Sequence, residues 1–296
     1  MQSDFQIIHP RFSSLLLGNC RLEKIHTGTR WAEGPCYFAD TGVLIWSDIP
    51  NNRMLRYVEG LGVDVFRQPS HCSNGNTRDR EGRLISCEHE SRRVTRTEWN
   101  GAITVLADRY QGRRLNSPND VVVKSDGSIW FTDPPYGIMS DYEGNKSPSE
   151  LDGNFVFRLD PTSGALSIVA SDFDKPNGIA FSPDETRLFV ADSGEPRHMR
   201  VFDVVDGKGL TNSRVFAECD AGCFDGFRFD TDGNLWTSTK AGVSCYAPDG
   251  ELLGKIRVPE AVANLTFGGP KKNRLFITAT TSLYSVFVNA RGAQQP

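Results

Sequence analysis

Six oxygen-bearing side chains, Glu33, Asn74, Asn119, Asn177, Asp225 and Asn264, recur along this chain at intervals of 41, 45, 58, 48 and 39 residues. Each stands at the head of a short strand. Brought together, they would offer two carboxylates and four amides, with no His or Cys among them. That donor set suits one hard divalent cation, Ca²⁺ first, with Mg²⁺ or Mn²⁺ acceptable and Zn²⁺ tolerated without being selected. The same residue types also cap turns through local hydrogen bonds. The chemistry therefore depends on whether the fold gathers all six.

The surrounding pattern supplies a way to gather them. After each first strand comes a reversal signal, such as Asp40-Thr41-Gly42, Asp126-Gly127 or Asp232-Gly233, and then a second apolar run. The second runs are Leu44-Ile45-Trp46, Leu84-Ile85-Ser86, Ile129-Trp130-Phe131, Leu188-Phe189-Val190, Leu235-Trp236-Thr237 and Leu275-Phe276-Ile277. Third strands follow in all six segments, and fourth strands in the first five, as Val63 to Phe66 and Ile103 to Leu106 illustrate. Strand repeats of this length without a helical period predict an all-β fold, a six-bladed β-propeller. The sixth segment stops after its third strand near Val288, while Cys20-Arg21-Leu22-Glu23-Lys24-Ile25 alternates like a strand without a neighbour. The expected closure has that N-terminal strand complete the last blade. This gives one propeller domain over 20–288, an N-terminal arm over 1–19 and a C-terminal tail over 289–296.

In a propeller the first strands line the central channel, so the six column residues would meet at one mouth. The segment 136–152 interrupts the third repeat between its second and third strands, and antiparallel pairing places it over the same face. Asp133 and Tyr136 flank it and are expected to border a substrate. Second strands end at Asp48, Glu88, Asp133 and Asp192, acids suited to orienting the column from behind. His89, beside Glu88, is a further contact candidate at this face, as are Asn74 and Asn264.

Composition narrows the partners. The chain has 296 residues and a formal net charge of −4, with no dense Lys/Arg run, which argues against nucleic acid or an anionic membrane surface. Leu15-Leu16-Leu17 is too short for a membrane span or a signal-peptide core, so a cytoplasmic location is expected. Seven Cys without a C-x-x-C pair read as reduced, mostly buried thiols. Nothing in the sequence indicates an oligomeric state.

Four segments carry a resemblance. Trp31-Ala32-Glu33-Gly34-Pro35, Ser117-Pro118-Asn119-Asp120, Pro176-Asn177-Gly178-Ile179-Ala180 and Asp225-Gly226 resemble, in order, the signatures of the senescence marker protein/gluconolactonase (luciferin-regenerating-enzyme-like) family. The likeness runs over about residues 20 to 288 and looks closest to the bacterial gluconolactonases of that family. It implies that Glu33, Asn119, Asn177 and Asp225 bind one divalent cation and that the enzyme hydrolyses a small sugar lactone, of the type of D-glucono-1,5-lactone. It further implies substrate contacts from Arg114 and Asn116, although Arg stands closer to the ligand Asn in animal members. Asp225 is then either the general base or a purely electrostatic ligand. Two other readings remain: a broader lactonase, phosphotriesterase or aryl-esterase, and a non-catalytic propeller whose cation is structural.

Overall fold

Short runs rich in β-branched and aromatic residues, joined by reversals too short for a crossover, can only pair with their sequence neighbours as antiparallel meanders. The computed structural model describes residues 4–294, and in it each repeat forms such a sheet. The first strands are Ala32–Phe38, Ser73–Arg78, Val121–Val123, Pro176–Phe181, Phe227–Phe229 and Val262–Gly268. Each touches the first strand of the next blade, and the sixth touches the first, so the six inner strands close a ring around a channel. Every one of them pairs with its second strand in antiparallel register.

Blade six draws on both ends of the chain. Glu23–Thr27 pairs with Ser282–Phe287, from Glu23 opposite Ser285 to Thr27 opposite Ser282. The strand begins a little later than its alternation suggests, because the Leu22 N–H turns aside to donate to Asp4 Oδ2 at 3.1 Å.

The N-terminal arm is not a loose extension. Phe5–Ile7 adds a fifth strand to blade five against Leu252–Arg257. A short helix, Arg11–Ser14, then inserts Phe12 into the core, where its ring centroid lies 6.0 Å from that of Trp236. Gly254 opens that slot, since a Cβ there would stand 2.2 Å from Phe12 Cδ1. At the other terminus Ala290 is buried and the Ala293 N–H donates to Phe229 O at 3.0 Å, so the tail folds across the far end of the channel.

Blades are joined by aromatic side chains from the second strands. Trp130 meets Phe181 of the next blade edge-on at 5.3 Å, and Trp236 meets Phe267 of the next at 6.1 Å. Each fully buried ring of this size contributes on the order of 3 kcal/mol by leaving water. All seven Cys are free thiols. Among the described residues no helix is long and apolar enough to cross a membrane.

The segment 136–152 begins with a short helix, Tyr136–Met139, seated on blades two and three. The Gly137 N–H donates to Ser117 Oγ at 2.9 Å, and that hydroxyl donates to Pro134 O at 2.6 Å. A Cβ at Gly137 would come within 2.5 Å of His89 Cβ, so the segment lies directly on the mouth that carries the column.

Candidate active site at the channel mouth

The column is tightly wound about the axis, and the sequence shows why it can be. Four of its six residues are followed by Gly. A Cβ at Gly178 would stand 2.1 Å from Asp225 O, and one at Gly226 would stand 1.9 Å from Asn264 Cγ; Gly34 and Gly75 face the neighbouring blade in the same way. Only Gly permits this approach. After Asn119 the position is taken by Asp120, whose Oδ1 accepts the Val121 N–H at 2.9 Å and whose Oδ2 faces Arg228 Nη1 at 3.7 Å.

Within this ring Glu33 and Asp225 converge from blades one and five. Glu33 is buried, and its Oε2 accepts the Gly34 N–H at 2.6 Å and Asn264 Nδ2 at 3.1 Å. Burial pushes its carboxyl up to about 8 against those two hydrogen bonds, and the charges of Asp120 and Glu143 push it further the same way. Asp225 keeps part of its surface open at the mouth. Its carboxyl is raised well above the ordinary range by burial first, then by Glu33, Asp120 and Glu143. Crowding acids in this way calls for a counter-charge or for bound protons.

The amides divide into two kinds. Asn74 donates to His89 Nε2 at 3.2 Å, while Asn264 donates to Glu33 and accepts the Leu265 N–H at 2.8 Å. Asn119 and Asn177 are equally buried, yet among the described residues their side chains make no hydrogen bond. Their oxygens are thus free to accept. Among the described residues no group of three or more His, Cys, Asp or Glu side chains is placed to hold a metal. A cation at this mouth would thus depend on amide oxygens beside the two carboxylates, which fits the hard-oxygen donor set Ca²⁺ accepts.

A pH dependence follows. Between about pH 6.5 and 8 the unfolded chain has lost its carboxyl protons, while folded Glu33 still holds one; Asp133 and Glu143, each pushed up to about 7 chiefly by burial, act in the same direction. The folded state binds more protons across that window, so the chelated protein is expected to lose stability as pH rises through it. His89, pushed down to about 4 by burial, is neutral in the folded state, and its unfolded imidazole, titrating near 6.5, opposes the trend only at the acid edge of that window. Thermal unfolding with and without Ca²⁺ checks this: the chelated protein should melt progressively lower, and the cation should flatten the slope by replacing the proton. A chelated Tm that rises through the window would contradict it.

Three of the four acids that end the second strands support the column through the backbone; Glu88 instead accepts from the side chains of Ser91, Arg93 and Thr95 in its own blade. Asp192 Oδ2 and Oδ1 accept the N–H groups of Asp174 and Lys175, both at 2.9 Å. Asp133 does the same for Asn116 and Ser117, both at 2.8 Å, and Asp48 for Arg30 at 2.8 Å. In each case the anchored segment leads straight into Asn177, Asn119 or Glu33. Asp192→Ala would strand those N–H groups and that of Gly194. It is expected to lower stability by about 3 kcal/mol and to weaken Ca²⁺ binding more than tenfold, read by denaturant unfolding and calorimetry.

Other expected contacts fall in different places. Asn116 is fully buried and its amide is consumed: Nδ2 donates to Asp133 O and Gly153 O at 3.2 and 3.0 Å, and Oδ1 accepts Ser149 Oγ at 2.5 Å. It ties the 136–152 segment to blade three, and with Asp133 it serves the column from behind. Arg114 also goes to that segment's anchorage, its Nη2 donating to Ser91 O at 3.0 Å and its N–H to Glu150 Oε2 at 2.8 Å. Tyr136 does come to the mouth: its hydroxyl donates to Ser193 Oγ at 3.2 Å, and burial, with the Asp225 charge nearby, pushes its proton affinity up. His89 is wholly buried, with Nδ1 at 3.9 Å from Glu143 Oε2. Glu143 itself escapes sequence reasoning. Its charge acts on both Glu33 and Asp225, although nothing local separates it from the other acids of its segment.

The chain is similar to known proteins over most of its length. The SMP-30/Gluconolactonase/LRE-like region matches residues 31–281. A gluconolactonase of Zymomonas mobilis subsp. mobilis is 33% identical, the match covering 94% of this chain and 84% of that one. The pentonolactonase XacC of Haloferax volcanii is 30% identical over 86% of this chain and 83% of its own. A gluconolactonase structure from Xanthomonas campestris superposes with a TM-score of 0.92 at 39% identity, covering 96% of this chain and 94% of that one. Matched by the family model over residues 31–281, and over 94% of its length by a relative 33% identical, this propeller chain belongs to the SMP-30/gluconolactonase/LRE-like family.

Proposed function

We propose that this protein is a lactone hydrolase that opens sugar lactones, D-glucono-1,5-lactone foremost, with one divalent cation, Ca²⁺ by preference, held by Glu33, Asn119, Asn177 and Asp225. The observation that carries this reading is the meeting of two desolvated carboxylates, from blades one and five, beside two buried amides left without hydrogen bonds. The gluconolactonase and pentonolactonase names of its relatives support the substrate class.

When bound, the cation supplies Lewis-acid stabilisation to the carbonyl oxygen and acidifies a water. The chain's own groups do the rest. An Asp225 carboxylate oxygen takes the proton of the water that attacks the carbonyl carbon. The ester C–O bond then breaks, and the ring oxygen leaves as the sugar hydroxyl on receiving the proton that Asp225 took from the water. Glu33 keeps its place through Gly34 and Asn264. Glu143 and Tyr136 border the space above and offer hydrogen bonds to sugar hydroxyls, while neutral His89 fixes the Asn74 amide. The substrate reaches the site as a small diffusible molecule in the cytoplasm, and the net charge of −4 supports neither nucleic acid nor a membrane surface as partner.

A second reading, a broader lactonase or esterase, draws on Met139 and Tyr142, apolar side chains exposed on the overhanging segment. Rates with D-glucono-1,5-lactone, D-xylono-1,4-lactone, δ-valerolactone, phenyl acetate and paraoxon separate the two. Sugar lactones are expected to exceed the others at least 100-fold in kcat/KM. Comparable rates on δ-valerolactone or phenyl acetate would transfer the assignment to the broader class.

A further inference from the structure

At the end of the channel away from the column lies a cavity of about 370 Å³. It opens where the first strands of blades two to five finish, with Arg78, Val123, Phe181 and Arg228 on its walls and Ala293 and Gln294 of the tail along one side. Its size falls within the range of small-molecule sites.

The two arginines are the unusual part. Arg78 and Arg228 are only 9% and 3% exposed. Arg228 Nη1 donates to the carbonyl of its neighbour Phe227 at 2.7 Å and meets Asp120 Oδ2 only at 3.7 Å, while Nε and Nη2 have no acceptor among the described residues. Arg78 pairs through Nη2 with Asp40 at 3.0 Å and lies over the Phe38 ring, and its Nε has no acceptor either. Both arginines line this one cavity, Arg78 from blade two and Arg228 from blade five. The acids at the rim are already engaged: Glu185 by Arg80 and Lys124 at 3.1 and 3.0 Å, and Asp184 by Ser182 and Thr186 at 2.6 and 2.9 Å.

Buried guanidinium groups short of acceptors are costly, and the partners that match their planar donors are carboxylate and phosphate. Thr77 adds a hydroxyl to the same walls, whereas those of Ser125 and Ser182 donate to Glu185 and Asp184. We propose that the far end of the channel is a second ligand site, taking a small organic oxyanion, a sugar acid or a sugar phosphate, through Arg78 and Arg228. The mouth plays no part in it.

Calorimetric titration of the full-length protein with gluconate, glucose 6-phosphate and glucose, in excess Ca²⁺, tests this. At least one anion should bind saturably and glucose should not, with the affinity unchanged within twofold by Asp225→Asn and weakened at least tenfold by Arg78→Gln and by Arg228→Lys. Tighter gluconate marks a sugar-acid site and tighter glucose 6-phosphate a phosphate site. Should the arginine variants fail to fold, Gln294→Trp, which fills the cavity from the tail without removing a charge, is expected to cause the same loss. Absence of saturable anion binding, binding that survives these substitutions, or binding abolished by Asp225→Asn would overturn the proposal.

Discussion

Asp225→Asn is expected to lower kcat/KM for D-glucono-1,5-lactone by roughly 10³-fold, the range for removing a general base from its substrate water, while the chelated protein melts no lower than the parent. Both halves come from the same geometry. The Asp225 carboxyl is crowded by Glu33, Asp120 and Glu143 in a desolvated mouth, so its ionisation is disfavoured until a cation arrives. A neutral amide of the same shape relieves that crowding, yet it can neither take a proton nor carry a ligand's negative charge. Glu33→Gln should separate the two roles. It removes a ligand charge but leaves the proposed base, so raising the Ca²⁺ concentration should restore much of its activity and little of that of Asp225→Asn. Activity within tenfold of the parent in Asp225→Asn would remove Asp225 from the chemistry.

The second large effect is steric. Gly178→Ala is expected to cost about 3 kcal/mol or more, or to prevent folding, because its new Cβ would stand 2.1 Å from Asp225 O and 3.0 Å from Asp225 C. The obstacle is backbone, which cannot rotate away as a side chain can. Whatever relaxation occurs pushes blade five outward and carries Asp225 off the axis, so cation affinity should fall together with stability. Gly18→Ala is the control: a Cβ there meets nothing within 4 Å and should leave stability within about 0.5 kcal/mol. Equal tolerance of the two substitutions, by denaturant unfolding, would contradict the close packing of the column.

How much of this could be read from the sequence depends on whether the signal is periodic. The column, the glycines behind it and the second-strand tryptophans repeat, so the propeller and its inner ring are legible without coordinates. Closure was legible as well, since an alternating strand without a neighbour sits at one end and an incomplete blade at the other. The arm over 1–19 was not. Its partner strand, Leu252–Arg257, lies at the other end of the chain, and the slot for Phe12 exists only because residue 254 has no side chain. The mouth divides in the same manner. Glu33 and Asp225 stand in the column, whereas Glu143 is one acid among several in a segment without a repeat. The fold singles it out by using the others: Asp141 accepts the Lys146 N–H, Glu150 accepts the Arg114 N–H and Asp152 pairs with Arg113. Asn116 is suggested in sequence by the resemblance and Asp133 by its place before the 136–152 segment, but in the fold the Asn116 amide bonds Asp133, Gly153 and Ser149 while the Asp133 carboxylate accepts the N–H groups of Asn116 and Ser117.

The most direct measurement follows proton release during hydrolysis of D-glucono-1,5-lactone by chelated protein, before and after adding Ca²⁺, Mg²⁺, Mn²⁺ or Zn²⁺, against the spontaneous rate. The account predicts that the chelated protein adds nothing to the spontaneous rate, that Ca²⁺ restores the reaction, and that Asn177→Ala, which removes one unengaged amide oxygen and no charge, abolishes the restoration. Full activity in the chelated protein, or a Ca²⁺ response that persists in Asn177→Ala, would contradict a cation held by Glu33, Asn119, Asn177 and Asp225.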